Sequence, residues 1–158
     1  MAAQLAAGEP APAFALARDG GGNTSLEEFR GRNLVVFFFP KADTSGCTKE
    51  ALAFTALQPA FERTGTALLG VSADPVRAQD AFKRKHALAV ALGSDENREM
   101  LERYGVWVEK SMYGRKYMGI ERATFLIDRH GRIARVWRNV KVPQHAEEVL
   151  AAAEALPG

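Results

Sequence analysis

Cys47 is the only cysteine in the 158-residue chain. The residues around it are the ones that could do chemistry: Pro40-Lys41-Ala42-Asp43-Thr44-Ser45-Gly46-Cys47-Thr48-Lys49-Glu50. An apolar, β-prone run, Leu34 to Phe39, stops at Pro40, and helix-starting residues follow. With Thr44 as N-cap, the cysteine falls in the first helical turn, where backbone N–H groups lack internal partners and the helix dipole is positive. A thiol in such a place ionises readily and acts as a nucleophile. The free N–H groups can donate to a thiolate or to a bound substrate oxygen, and Gly46 lets a ligand approach the backbone closely. A cysteine that only fills a small apolar space needs none of this. With no second cysteine, any oxidised product must be resolved from outside the chain.

Other chemistries find less to work with. No Cys-x-x-Cys is present, which argues against a dithiol–disulfide exchanger. The three histidines, His86, His130 and His145, are far apart and lack zinc-ligand spacing. His86 closes a helix, His130 sits in a tight turn and His145 lies near a helix start. All three read as surface residues, although spacing alone leaves a Cys–His hydrolase pair open. No Gly-x-x-x-x-Gly-Lys phosphate loop occurs, so neither a metal nor another cofactor is expected. Net charge is +2, from 21 basic and 19 acidic residues. Scattered groups such as Lys83-Arg84-Lys85 read as a solvated helix face and not as a nucleic-acid surface.

The elements that must position Cys47 follow from the pattern. Composition, 47% hydrophobic and 25% charged, fits one domain with a single core over residues 1–158. Residues 1–13 read as an extended arm, with Pro10 and Pro12 preventing helix. Phe14-Ala15-Leu16 reads as a short strand and Asp19 to Asn23 as a turn. Ser25 caps a helical turn through Phe29, with Glu28 completing a capping box. Leu34 to Phe39 suits a central strand buried on both faces. The helix after it carries Cys47, Ala51, Phe54, Leu57 and Phe61 on one stripe, so Cys47 faces inward. Pro59 should kink that helix or break it in two. Ala67 to Ser72 is a second buried strand, and Asp74 caps a helix that opens at Pro75 and runs to about His86. Val90 to Gly93 is a weaker strand, and Asn97 to Tyr104 a helix stopped by Gly105. Residues 124–127 and 133–137 flank a tight turn as a hairpin, and Gln144 to Leu156 closes the chain as a helix. The order implies an α/β fold, a mixed central sheet flanked by helices on both faces. Reactive groups in such sheets gather beyond the carboxyl ends of strands, where Pro40 to Cys47 lies.

These residues resemble the active-site signature of the peroxiredoxins, thiol peroxidases on a thioredoxin-like fold. Pro40-x-x-x-Thr44-x-x-Cys47 carries the resemblance, and the string from Phe38 to Glu50 is similar to the BCP/PrxQ branch (bacterioferritin comigratory proteins). A second block, Tyr113 to Asp128, and Gly70-Val71-Ser72-Ala73-Asp74 are similar to that branch too. The resemblance places the family's active-site arginine at Arg122. It departs at one point. Many members carry a resolving cysteine five residues after the peroxidatic one or in the following helix, and here Leu52 holds the first position and the helix from Asp74 to His86 has none. The resemblance thus implies a one-cysteine cycle.

On that resemblance, Cys47 thiolate attacks a hydroperoxide and becomes a sulfenic acid. Arg122 holds the thiolate, while Thr44 and the N–H groups near Gly46 and Cys47 bind the peroxide oxygens. Pro40 shields the sulfur from bulk water. An external thiol (thioredoxin, glutaredoxin or a low-molecular-weight thiol) completes the cycle, and the branch implies a monomer or homodimer. A redox sensor relaying oxidation to a partner protein is the alternative, and a thioredoxin-like binding module with an inert cysteine is a third reading. Residues 1–9 do not read as a signal peptide, and no stretch reaches the ~18 apolar residues of a membrane span. With one unpaired cysteine, this favours the cytoplasm.

Overall fold

The computed structural model describes residues 4–157. In chain order its elements are β1 (Ala15–Arg18), β2 (Asn23–Ser25), β3 (Asn33–Phe38), α1 (Ser45–Arg63), β4 (Thr66–Ser72), α2 (Val76–His86), β5 (Ala91–Ser94), α3 (Glu99–Arg103), β6 (Trp107–Met112), β7 (Arg115–Ile120), β8 (Ala123–Ile127), β9 (Ile133–Trp137) and α4 (His145–Glu154). Seven strands form one sheet in the order β2-β1-β5-β4-β3-β8-β9. β4 runs parallel to β3 and β5, and the remaining pairs are antiparallel. This is the expected α/β architecture with a mixed sheet.

β3 lies inside the sheet, between β4 and β8; all its residues after Asn33 are apolar and all are buried. Its side chains alternate between two cores. Leu34, Val36 and Phe38 pack with Tyr104, Met100 and Leu101 of the α3 region. Val35, Phe37 and Phe39 pack with Cys47, Ala51, Phe54, Phe82 and Val149 from α1, α2 and α4. Helices therefore cover both faces. Phe37 stacks on Phe54 with ring centroids 4.6 Å apart, which seats α1 on the sheet. Gly70 on β4 leaves room for that arrangement: a Cβ there would lie 2.7 Å from the Phe37 ring and 3.1 Å from Phe39.

Four expectations need correction. Pro59 does not divide α1, which runs unbroken from Ser45 to Arg63, with Pro59 on its exposed side. Helix α2 opens one residue later than expected, with Pro75 at the N-cap. Asp74 is not its cap, because the Asp74 carboxylate instead accepts hydrogen bonds from Ser72 Oγ and the Ala42 N–H. β6 and β7, which the apolar pattern did not reveal, form a separate antiparallel hairpin turned at Tyr113-Gly114, both with positive φ. His145 is buried and not a surface residue, as described below. The reading of an extended arm partly falls on residues 1–3, outside the described residues; Pro10 bridges to Arg132.

Candidate active site

Strand register brings the site together. Phe38 at the end of β3 pairs with Ala123 at the start of β8, so the segment leaving β3 runs beside Arg122. The chain then turns through Pro40 to Thr44 and enters α1 with Cys47 as the third helical residue. Thr44 occupies the N-cap position, but its hydroxyl does not cap the helix: Oγ1 donates to the Lys41 carbonyl at 2.8 Å. Its oxygen lone pairs remain for another donor.

Cys47 is 1% exposed. Arg122 Nη2 donates to its Sγ at 3.3 Å, while Nη1 of the same guanidinium donates to Glu50 Oε1 at 2.7 Å. Gly46 makes this approach possible, since a Cβ there would meet Arg122 Nη2 at 3.2 Å. The space beside Gly46, read from sequence as room for a ligand, is therefore taken by the arginine. Glu50 lies one turn after Cys47 on the same helix face and is 2% exposed, and among the described residues its Oε2 has no hydrogen-bond partner. Burial pushes its carboxyl up to about 7, with Arg122 opposing the shift. Sequence reasoning missed Glu50, although its i+3 spacing from Cys47 on the inward stripe was a usable signal.

Behind the arginine, His145 Nε2 and Thr124 Oγ1 share a 2.8 Å hydrogen bond, and the imidazole meets Phe54 and Trp137 edge-on. Burial, assisted by Arg122, lowers His145 to about 4. It is neutral at neutral pH and adds no second positive charge there. Among the described residues no histidine hydrogen-bonds Cys47: His145 pairs with Thr124, His86 with Asp43, and His130 with Asp128 through its backbone N–H. No metal-holding cluster of His, Cys, Asp and Glu occurs among the described residues.

The loop from Pro40 to Thr44 is strapped at two points, to Asp74 just ahead of α2 and to the last turn of α2. Asp74 accepts the Ala42 N–H at 2.8 Å, and through Ser72 it joins Gln79, which is buried and also bonds the Gly93 carbonyl. Asp43, at φ +62°, accepts from Lys85 Nζ and pairs with His86 Nε2, both at 2.8 Å. Those two partners, Lys85 first, hold its carboxyl below the ordinary range. Outside this loop a cavity of roughly 500 Å³ opens above Arg122, lined by Pro40, Val108, Lys110, Glu121, Arg122 and Val140, among others. Pro40 is exposed at its edge.

Along most of its length the chain is similar to known proteins. The family model described as AhpC/TSA family matches residues 7–136. Peroxiredoxin Bcp of Xanthomonas campestris is 44% identical over 89% of this chain and 88% of its own, and that of Bacillus subtilis 40% over 90% and 91%. Among solved structures, a cysteine-to-serine mutant of X. campestris Peroxiredoxin Q aligns at TM-score 0.90 and 42% identity over 96% of this chain and 99% of that one. That protein has been solved with either of two different cysteines replaced, whereas this chain has one. A structure concerned with alkyl peroxide reduction by X. campestris bacterioferritin comigratory protein aligns at TM-score 0.86 and 43% identity over 90% of each chain. A buried cysteine at a helix start, bonded by an arginine that immediately precedes β8, sits on a fold shared with these thioredoxin-like proteins, and the chain belongs to the AhpC/TSA family, in its Bcp/PrxQ branch of peroxiredoxins.

Proposed function

We infer that the chain is a thiol-dependent peroxidase that reduces hydrogen peroxide and organic hydroperoxides, alkyl hydroperoxides included, through a sulfenic acid at Cys47. The observation that carries this is the Arg122 Nη2–Cys47 Sγ hydrogen bond of 3.3 Å in the first turn of α1. Arg122 places a positive charge directly against the sulfur. Cys47 attacks the terminal peroxide oxygen in line with the O–O bond, leaving Cys47–SOH and water or an alcohol. Thr44 Oγ1, whose proton points to Lys41, accepts the peroxide's O–H. Backbone N–H groups at Gly46 and Cys47 and the Arg122 guanidinium stabilise charge on the departing oxygen. Pro40 fixes the cavity edge and limits water at the sulfur.

Magnitudes show why this orienting set matters more than ionisation. For a generic thiol, lowering the pKa from ~8.5 to ~6 raises the thiolate fraction about 30-fold at pH 7. Lower basicity then costs roughly 13-fold in nucleophilicity, so the net gain is about two- to threefold. Peroxide orientation and stabilisation of the departing oxygen supply the rest.

The lone cysteine supports a one-cysteine cycle completed by an external thiol: thioredoxin, glutaredoxin or a low-molecular-weight thiol. The sheet and its two cores support one domain over 1–158. Among the described residues no helix is long and apolar enough to cross a membrane, and an unpaired cysteine suits the cytoplasm. The chain acts as a monomer or homodimer. Intact-mass measurement after one equivalent of hydrogen peroxide tests the reading. We expect a gain of one oxygen at Cys47, reversed by thiol, with sustained peroxide loss when thiol is in excess. No mass gain overturns the peroxidase; consumption of one equivalent without turnover favours the sensor.

A further inference from the structure

We propose that Lys110 forms an anion subsite in the cavity above Arg122 and selects carboxylate-bearing thiols as the reductant of oxidised Cys47. This rests on the one-cysteine peroxidase reading and names the chemistry of its outside thiol.

Lys110 lies on β6 opposite Tyr117 of β7 and lines the cavity together with Arg122 and Val108. Gly119 lets its stem lie flat across the hairpin, since a Cβ at Gly119 would come 3.3 Å from Lys110 Cδ. The ammonium is thus aimed by packing. Its surroundings are nevertheless unfavourable to a cation. Lys110 is half-buried, and among the described residues its ammonium has no hydrogen bond or ion pair. The acid that shares the cavity with it is engaged elsewhere: Glu121 faces Arg138 at 3.8 Å and accepts the Asn139 N–H at 3.0 Å. Burial and repulsion from Arg122 both push the Lys110 ammonium toward its neutral form, while Cys47 and Glu121 pull the other way. A partly desolvated cation beside a second cation is a cost to the fold. An anion entering the cavity relieves it.

That anion belongs to the thiol. Hydrogen peroxide carries no charge to recognise, and the reductive half of the cycle has no residue of this chain assigned to it. A cavity of roughly 500 Å³ admits a tripeptide-sized molecule. With its carboxylate on Lys110, such a thiol presents its sulfur at the Arg122 end of the cavity. The chemistry balances in two steps. Cys47–SOH and R–SH give Cys47–S–S–R and water. A second R–SH then attacks the sulfur of R, releasing Cys47–SH and R–S–S–R; two thiols are oxidised and one sulfenic acid is reduced.

The test separates charge from packing. Cys47 sulfenic acid is formed with one equivalent of hydrogen peroxide and mixed with glutathione, neutral 2-mercaptoethanol or cationic cysteamine, and loss of the acid is timed. In Lys110→Gln, which keeps most of the stem, the glutathione rate falls about three- to tenfold while 2-mercaptoethanol stays within about twofold. Lys110→Glu raises the cysteamine rate, Lys110→Arg restores glutathione, and added salt shrinks the wild-type preference. Equal slowing with all three thiols, or no change with any, overturns the proposal. So does a defect confined to the oxidation step when a carboxylate-bearing hydroperoxide replaces neutral tert-butyl hydroperoxide, because the subsite would then serve the substrate. If wild-type Cys47 forms no sulfenic acid at all, the peroxidase reading fails instead.

Discussion

The two flanks of Cys47 are held by different kinds of force. On the sheet side, Arg122 at 17% exposure meets Glu50 at 2% in a short ion pair. On the loop side, Asp43 at 42% meets Lys85 at 62%, with His86 at 22%. Breaking a buried pair by removing one partner costs about 3–5 kcal/mol, whereas exposed pairs are screened and contribute little. The difference divides labour. The arginine must stay in place while peroxide reacts, and it is anchored accordingly. The loop covers a sulfur that an outside thiol must later reach, and its outer fastening is weak enough to release.

The comparison breaks most clearly at Arg122. Arg122→Met should slow oxidation of Cys47 about 100-fold by removing a donor to developing charge, as measured by stopped-flow with hydrogen peroxide. It should also destabilise the fold, more at pH 8 than at pH 6.5. Glu50, raised to about 7, contributes stability that is fully present below its unfolded value near 4.5 and lost as pH rises through about 7. Without Arg122 the ionised carboxylate has nothing to offset its burial. Glu50→Gln in the same chain should restore the urea midpoint at pH 8 without restoring the rate. Recovery of both would mean that Arg122 is only structural. His145 runs oppositely. Its folded value near 4 gives stability present above about 6.5 and lost as pH falls through about 4. Glu50 variants should therefore be compared above pH 6.5, where His145 is constant.

Thr44→Val is expected to slow oxidation about tenfold, because the peroxide loses one hydrogen-bond partner in the transition state. Thiolate absorbance should hold at the wild-type level, since Thr44 donates to Lys41 and not to the sulfur. A wild-type rate would remove Thr44 from the site. The smallest effect belongs to the loop. Asp43→Asn should speed reduction of the sulfenic acid about two- to threefold, as expected for a weak exposed pair, with peroxide oxidation unchanged. Equal change in both half-reactions would show that the strap positions Thr44 instead of gating access.

The sheet side of the site was largely legible in the sequence. The run Leu34 to Phe39 announced a buried strand, the stripe through Cys47 and Phe54 turned the thiol inward, and the family resemblance picked out Arg122. What was hidden depended on tertiary partners. His145 looks like a polar residue at a helix start, and only Thr124 and two aromatic rings make its burial tolerable. The hairpin β6–β7 forms its own two-stranded sheet, with Met112, Tyr113, Tyr117 and Met118 exposed, so no buried face writes an alternating pattern into it. Its one local mark was the Tyr113-Gly114 turn. Asp74 followed the wrong rule: an aspartate before proline reads as a cap, but the Ala42 N–H from the loop claims its carboxylate.

The aromatic stack under α1 has a consequence for where this enzyme is fragile. Because Phe37 and Phe39 occupy the volume that a side chain at Gly70 would need, one added methyl on that neighbouring strand would lever the rings upward and tilt the whole helix. The thiol would then swing away from its guanidinium. A glycine two strands from Arg122, carrying no functional group at all, thereby sets the aim of the reaction.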